Sequence, residues 1–211
     1  MSLDPCEPLL RVEDLSRNFG VHQVLVNVDL VLGRGDRVAI CGPNGAGKTT
    51  ILRCIAGTLA PTNGRIDVCG YPAGSIQSRR LTGISFSQER SFYLRLSGRD
   101  NLLFFAQLRG LKRRQAIEQV RAIEQELELQ EILRQRVDRC STGMVQQLAL
   151  ARALLDSPAL LLLDEPTRSL DDHATARLWA ALESRSTSGL LISTHRADDV
   201  ARCHRQIHLG S

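Results

Sequence analysis

The amino-acid sequence predicts an α/β fold with a mainly parallel sheet, and three observations support this prediction. Short apolar runs typical of buried parallel strands occur at residues 37–41, 160–163 and 189–193. A glycine-rich loop follows the first run, and a segment with helical spacing follows the loop. Helical segments also lie between the later runs, and such alternation places strands side by side and parallel. The ligand site of such a sheet lies at the carboxyl ends of its strands.

The first third of the chain is β-rich and is predicted to contribute an antiparallel part to the fold. Its β-branched and apolar residues are separated by turn residues such as Gly20, Gly33 and Gly35. Strands are predicted at 9–12, 24–32, 37–41, 64–68 and 83–86, and a helix is predicted at 49–56.

The middle of the chain predicts a helical subdomain inserted into the core. Residues 89–150 combine helical spacing with many charges, and α/β alternation resumes after them. We therefore expect a single domain over residues 1–211, in which 1–88 and 151–211 form the core and 89–150 form the helical subdomain. Helices are predicted at 99–109, 112–127, 131–136, 145–155, 171–183 and 197–202, and strands at 160–163, 189–193 and 205–209.

Composition and charge narrow the class of protein. The 211 residues carry a formal net charge of +4 and 43% hydrophobic residues, which is an ordinary globular balance. So mild a charge excess does not by itself favour nucleic acid or an anionic membrane as the partner. No window approaches the roughly 20 apolar residues of a membrane-spanning helix. The six cysteines form no C-x-x-C pair and no signal-peptide pattern is present, so we expect a reduced, cytoplasmic protein.

The glycine-rich loop gives the most specific chemical signal, because it matches the pattern G-x-x-x-x-G-K-[ST] between a strand and a helix. Its glycines let backbone N–H groups approach phosphate oxygens, and the helix start adds the positive end of its dipole. Lys48 is expected to reach the β- and γ-phosphates of ATP, and Thr49 to offer its hydroxyl to Mg²⁺. The alternative, a glycine-rich turn with a chance lysine, is disfavoured by the flanking strand and helix. The predicted ATP-binding residues are Gly42, Pro43, Asn44, Gly45, Ala46, Gly47, Lys48, Thr49 and Thr50.

A pair of carboxylates ends a second apolar run. The leucines at 160–163 lead directly into Asp164 and Glu165, at the sheet edge where the phosphate loop is also expected. Asp164 is predicted to hold Mg²⁺, and Glu165 to polarise the water that attacks the γ-phosphate. The alternative is a polar strand end followed by a turn at Pro166, and the phosphate loop makes it the weaker interpretation.

A short motif ahead of this strand carries a resemblance to a known family. Residues 140–144, Cys-Ser-Thr-Gly-Met, resemble the signature motif of ATP-binding cassette (ABC) ATPases, whose consensus is Leu-Ser-Gly-Gly-Gln. Each small motif is weak alone, whereas their order is specific. The order of the phosphate loop, Gln88, the signature, the carboxylate pair, Ser169-Leu-Asp171 and His195 resembles the ABC nucleotide-binding domain over nearly the whole chain.

The resemblance implies roles for four further residues. Gln88 matches the glutamine that joins the metal site to the helical subdomain, and is expected to act in catalysis and metal binding. Asp171 matches the aspartate that follows the carboxylate strand, and is expected at the nucleotide. His195 matches the switch histidine that contacts the γ-phosphate, although the sequence also permits an ordinary strand-end histidine. Phe19 matches the aromatic residue that stacks on adenine, with phenylalanine in place of the usual tyrosine.

The signature motif implies a shared site, and its departures from the consensus indicate a branch of the family. Ser141 and Gly143 match residues that close over the γ-phosphate bound by another subunit. Cys140, Thr142 and Met144 replace the usual leucine, glycine and glutamine. Similar Ser-x-Gly-Met signatures, and stretches similar to residues 92–103, occur in the branch that serves exporters of drugs, lipids and polysaccharides. Many relatives continue beyond the position of Leu209, so we expect either a minimal cassette or an absent tail.

The resemblance predicts an ATP-hydrolysing subunit that dimerises around two ATP molecules and powers export through separate transmembrane subunits. We expect a homodimer, peripheral on the cytoplasmic membrane face, with the permease subunits docked near Gln88–Leu94. The alternative is a soluble ABC ATPase acting on nucleic acid or ribosomes, which one cassette without heptads or paired cysteines disfavours, so no nucleic-acid partner is expected. A GTPase or nucleotide kinase is disfavoured because the guanine-reading Asn-Lys-x-Asp motif is absent.

Overall fold

A computed structural model describes residues 7–87 and 91–210 of the chain. Elements are numbered in chain order over these ranges. The strands are β1 Leu10–Phe19, β2 His22–Leu32, β3 Arg37–Cys41, β4 Asn63–Val68, β5 Tyr71–Pro72, β6 Thr82–Ser85, β7 Leu160–Asp164, β8 Gly189–Ser193 and β9 Arg205–His208. The helices are α1 Lys48–Ile55, α2 Ile76–Leu81, α3 Gly98–Leu108, α4 Arg113–Glu126, α5 Gln130–Arg134, α6 Thr142–Ala153, α7 Asp172–Ser184 and α8 Ala197–Ala201, with a 3₁₀ turn at Val137–Arg139.

The described residues form two compact units, and the first contains an antiparallel sheet and a parallel sheet. This unit comprises 7–82, 159–165 and 187–210. Its antiparallel sheet has the order β2-β1-β4-β5. In its parallel sheet, β7, β8, β3 and β9 are neighbours in that order. The predicted α/β class and the antiparallel N-terminal part are therefore confirmed.

The register of the parallel strands brings their carboxyl ends to one edge. Asp164, the last residue of β7, pairs with Ser193, the last residue of β8. Ser193 in turn pairs with Ile40 on the other side, one residue before the end of β3. Every residue of β7 and β8 is buried, as their unbroken apolar sequences predict. The phosphate loop and the carboxylate pair consequently leave the sheet from neighbouring positions.

The strand β1 is longer than the prediction of residues 9–12. It continues to Phe19 through register shifts after Val12, and Asp14 adopts a positive φ of 49°. These irregularities interrupt the alternation of apolar and polar residues on which the shorter prediction depended. The helix α2 was not predicted. It begins after Ser75, whose side-chain oxygen accepts a hydrogen bond from the Ser78 N–H.

The second unit comprises 83–87, 91–158 and 166–186, which extends beyond the predicted subdomain of 89–150. This unit includes α7, and two ion pairs connect the region of α7 to the end of α4. Arg177 contacts Glu128 at 2.9 Å, and Arg185 contacts Glu126 at 2.7 Å. The boundary between the units falls within β6. Within residues 7–87 and 91–210, no helix is both long and apolar enough to cross a membrane.

Candidate functional site

The phosphate loop connects β3 to α1, as the sequence predicts, and its last glycine is required by the backbone. Gly47 is the N-terminal cap of α1 and has a φ of 93°. A Cβ atom there would lie 2.9 Å from the Leu25 Cδ2 atom, which is closer than real Cβ contacts. Glycine adopts this left-handed backbone without strain, and a larger residue would also have to displace the Leu25 side chain. The loop tip, Pro43 to Gly45, is exposed to solvent.

Lys48 is the first residue of α1, and its ammonium group lies over the loop. Its Nζ atom donates to the carbonyl oxygens of Gly42 at 2.7 Å and Pro43 at 3.0 Å. The residue is only 8% exposed, and a buried ammonium needs such hydrogen-bond acceptors. The charge is thereby held inside the glycine-rich loop, where it can pair with phosphate oxygens.

Thr49 and Asp164, predicted separately as metal ligands, lie in contact. The Thr49 hydroxyl is 3.0 and 3.2 Å from the two carboxylate oxygens of Asp164. Asp164 is 1% exposed, and the Ser193 hydroxyl also donates to it. A hydroxyl and a carboxylate side by side are the hard oxygen donors that Mg²⁺ prefers, so these residues fit the predicted ion.

Glu165 and His195 form a second pair beside the first. The Glu165 Oε2 atom is 2.7 Å from the His195 Nδ1 atom, and the imidazole side chain is 59% exposed. Glu165 adopts a left-handed backbone with a φ of 49°, a strain of about 1–3 kcal/mol for a residue other than glycine. Ser193 stabilises this conformation, because the Glu165 N–H lies 3.0 Å from its carbonyl oxygen and 3.2 Å from its hydroxyl. The strain directs the carboxylate toward His195 at the sheet edge.

Phe19, predicted to stack on adenine, ends β1 with 47% of its surface exposed. The Arg17 guanidinium carbon lies 4.6 Å from the centroid of the phenyl ring, a cation–π contact. Arg17 is itself anchored by a 2.9 Å hydrogen bond from Nη1 to the Ala60 carbonyl oxygen. The ring therefore has a fixed neighbour and still presents aromatic surface to solvent.

The signature motif lies in the second unit, where it begins α6. The Ser141 hydroxyl caps this helix by accepting from the Met144 N–H at 3.2 Å, and Ser141 itself is exposed. A Cβ atom on Gly143 would lie 2.6 Å from the Ser169 carbonyl oxygen, so only glycine fits this approach. Asp171 caps α7, with its Oδ1 atom 2.7 Å from the Ala174 N–H.

Two cysteines flank these motifs. Burial raises the pKa of the Cys41 thiol, which precedes the phosphate loop, and the Lys48 charge lowers it by less. Burial also raises the pKa of Cys140, with a further increase from the Asp138 carboxylate. Both side chains are therefore neutral thiols at neutral pH, and neither acts as a thiolate nucleophile.

The structure brings Lys48, Thr49, Asp164, Glu165 and His195 together in the first unit. Gln88, predicted as a catalytic and metal-binding residue, lies outside the described residues. Sequence interpretation missed Ser193, whose hydroxyl donates to the Asp164 carboxylate and accepts from the Glu165 backbone N–H. Its position at the end of a buried strand was the available signal, because a polar residue there faces the expected ligand site.

Comparisons with known proteins agree with this geometry. Residues 25–168 match the family model described as ABC transporter. The chain belongs to the ABC transporter family. As an ABC ATPase domain, it binds and hydrolyses ATP.

The similar proteins include ATP-binding subunits of this family. The chain is 32% identical to the ABC transporter ATP-binding protein NatA of Bacillus subtilis, with 96% of the chain and 86% of NatA covered. It is 34% identical to the Nod factor export ATP-binding protein I of Rhizobium etli, with 91% of the chain and 62% of that protein covered. The chain spans 66%, 86% and 62% of the lengths of the first three curated relatives that it matches.

A solved structure described as the ATP binding subunit of an ABC transporter superimposes with a TM-score of 0.88 and 30% identity. The match covers 95% of the chain and 85% of that structure. The fold of this ABC ATPase therefore extends over nearly all of the chain, including the residues outside the matched family model.

Proposed function

We propose that this ABC ATPase domain powers export through separate membrane-spanning subunits, from the cytoplasmic face of a membrane. Two copies would close around two ATP molecules and separate after hydrolysis. The observation that carries this proposal is the cluster at the sheet edge, where Lys48, the Thr49–Asp164 pair and the Glu165–His195 pair adjoin one phosphate loop. The export direction is supported by the Ser-x-Gly-Met signature and by a relative named for Nod factor export.

The residues of the cluster divide the work of phosphoryl transfer to water. Lys48 binds the β- and γ-phosphate oxygens, and Phe19 stacks on the adenine ring. Thr49 and Asp164 would hold Mg²⁺, which would neutralise phosphate charge, and Gln88 is proposed as a further ligand. Glu165 polarises the attacking water through its carboxylate. His195, 2.7 Å from that carboxylate, orients it and contacts the γ-phosphate.

The signature residues are proposed to act on the nucleotide of the second copy. Ser141 caps its own helix through its hydroxyl oxygen, so the hydroxyl hydrogen remains available as a donor. The start of α6 also carries the positive end of a 12-residue helix, which favours a phosphate. Gly143 allows close backbone approach, and Asp171 fixes the start of α7 beside it.

The surface around Tyr93 and Leu94 is proposed to dock the membrane-spanning subunits. Tyr93 is 50% exposed and Leu94 is 58% exposed, whereas Phe92, which also lies in the predicted docking range Gln88–Leu94, is buried at 6%. The buried Asn101 side chain fixes the segment, because it accepts from the Tyr93 N–H at 2.8 Å and donates to its carbonyl oxygen at 3.0 Å. An apolar surface on a fixed backbone suits a protein partner.

The shared-site proposal is tested with Glu165→Gln. This variant keeps the shape of the side chain and loses the charge that polarises water, so it should bind ATP and hydrolyse it very slowly. We expect it to elute at twice the monomer mass in size-exclusion chromatography with light scattering at saturating ATP and Mg²⁺, and as a monomer with ADP. Glu131→Gln, which alters an exposed carboxylate on α5, should behave as the wild-type chain. A Glu165→Gln protein that binds ATP and stays monomeric would contradict the proposal.

A further inference from the structure

Three consecutive residues at the end of β8 contact three different acidic residues. The Ser193 hydroxyl donates to Asp164, and the His195 Nδ1 atom lies 2.7 Å from Glu165. Between them, the Thr194 hydroxyl donates to the Asp199 Oδ2 atom at 2.9 Å. The first and third contacts belong to the ATP site described above. The Thr194–Asp199 contact lies outside the set of residues assigned to that site.

The Thr194–Asp199 contact is buried. Each of the two residues is 1% exposed, although Asp199 is an acid and lies on the five-residue helix α8. A buried carboxylate is tolerated where hydrogen bonds replace its lost water. The Thr194 hydroxyl oxygen also accepts from the Arg196 N–H at 3.1 Å, so it holds the backbone on both sides of His195. The Thr194 N–H is joined to the sheet by a 3.3 Å bond to the Ile40 carbonyl oxygen.

The contact closes a short loop that carries His195. The chain leaves the sheet at Thr194 and is held again at Asp199, so only residues 195–198 lie between the two ends. The His195 side chain is 59% exposed, and its Nδ1 atom is held by the Glu165 carboxylate. Its position over the site therefore depends on the backbone that the Thr194 hydroxyl fixes.

We propose that Thr194 and Asp199 are positioning residues for ATP hydrolysis. Their buried hydrogen bond holds the His195 backbone so that the imidazole stays within reach of Glu165 and of the γ-phosphate. This inference rests on the proposed roles of Glu165 and His195. Misplacing a catalytic group by about 1 Å can cost a hundredfold in rate, so loss of the bond should lower kcat while leaving ATP affinity intact.

The test compares Thr194→Val, which has the same shape without the hydroxyl, with Thr194→Ser, which keeps the hydroxyl. We expect Thr194→Val to lower kcat about tenfold or more and to change the Kd for ATP by less than about twofold. Thr194→Ser should return kcat to within about threefold of the wild type. A purely stabilising role would instead lower Tm in Thr194→Val without this separation of kcat from Kd.

A double-mutant cycle with His195→Ala makes the test specific. If Thr194 acts through His195, the double variant Thr194→Val/His195→Ala should have the kcat of His195→Ala alone. Wild-type kcat in Thr194→Val, or losses that multiply in the double variant, would overturn the positioning role. Normal hydrolysis by His195→Ala would overturn it as well, and would show that the proposed role of His195 itself is at fault. If Thr194→Val does not fold, Thr194→Ala removes the same hydroxyl without a second methyl group beside Asp199.

Discussion

The two compact units of the chain use their polar residues differently. In the first unit, Thr49 contacts Asp164, and Glu165 contacts His195, so functional side chains are each other's partners. In the second unit, Ser141 and Asp171 satisfy the N–H groups at the starts of their own helices instead. The first arrangement assembles a reacting centre within one unit. The second arrangement fixes the backbone at the helix starts, while Ser141 and Asp171 stay exposed to solvent.

This difference suggests how labour is divided in the proposed dimer. A site that must bind ATP and stabilise charge is preorganised by hydrogen bonds among its own side chains. A motif that contacts a partner's nucleotide needs a fixed backbone and solvent-exposed side chains. Helix caps fix the backbone at an exposed helix start. Changes in the first unit should therefore impair ATP binding or hydrolysis by one chain directly. Changes in the second unit should leave ATP binding by the monomer intact.

The largest effect is expected from Lys48→Ala, which removes the only charge held inside the described phosphate loop. Without it, the β- and γ-phosphate oxygens lose a charge-assisted contact of about 1.5–3 kcal/mol or more. We expect the affinity for ATP to fall at least tenfold and hydrolysis to be lost, as measured by nucleotide-binding titration and phosphate release.

The matched control for Lys48→Ala is Lys112→Ala, because the sequence has only these two lysines and Lys112 is exposed at the start of α4. This control should retain both the ATP affinity and the rate of hydrolysis of the wild-type chain. Hydrolysis by Lys48→Ala at the wild-type rate would remove the basis for the assigned site.

A smaller and more selective effect is expected from Gly143→Ala in the second unit. The added Cβ atom would lie 2.6 Å from the Ser169 carbonyl oxygen, so the start of α6 must shift. ATP affinity of the monomer should stay within about twofold of the wild type, whereas the ATP-dependent dimer of the Glu165→Gln background should be lost. A Gly143→Ala chain that binds ATP poorly as a monomer would break the distinction between the units. Tm measured beside both assays separates a local shift from unfolding.

The fold was predictable where consecutive residues are apolar and buried. The strands β3, β7 and β8 consist mainly of apolar residues, nearly all of which are buried, and their bounds were predicted to within a residue. The strand β1 was predicted too short, because Asp14 and the register shifts around it break the alternation. Bulges are set by pairing with a neighbouring strand, which local sequence does not encode.

The site was predictable where its residues lie close together in the sequence. The phosphate loop and the Asp164–Glu165 pair follow from pattern and context, and the structure places them at one edge. The contacts of Ser193 and Thr194 were missed, because a hydroxyl bonded to an acid 29 or 5 residues away leaves no periodic signal. Asp199 lies in a charged stretch of sequence, and its burial and its hydrogen bond with Thr194 identify it as a structural partner.

The smallest effect on the isolated chain is expected from Leu94→Ser, at the exposed surface of the second unit. Leu94 is 58% exposed, so its replacement removes apolar surface without opening a cavity, and ATP hydrolysis by the chain alone should not change. In vesicles that contain the proposed membrane-spanning partner subunits, the same change should abolish stimulation of hydrolysis and movement of cargo away from the ATP side. Ile76→Ser, which alters an exposed apolar residue of the first unit, should leave both intact. Loss of coupling in Ile76→Ser, or its retention in Leu94→Ser, would mean that the membrane partner is not recognised by the second unit.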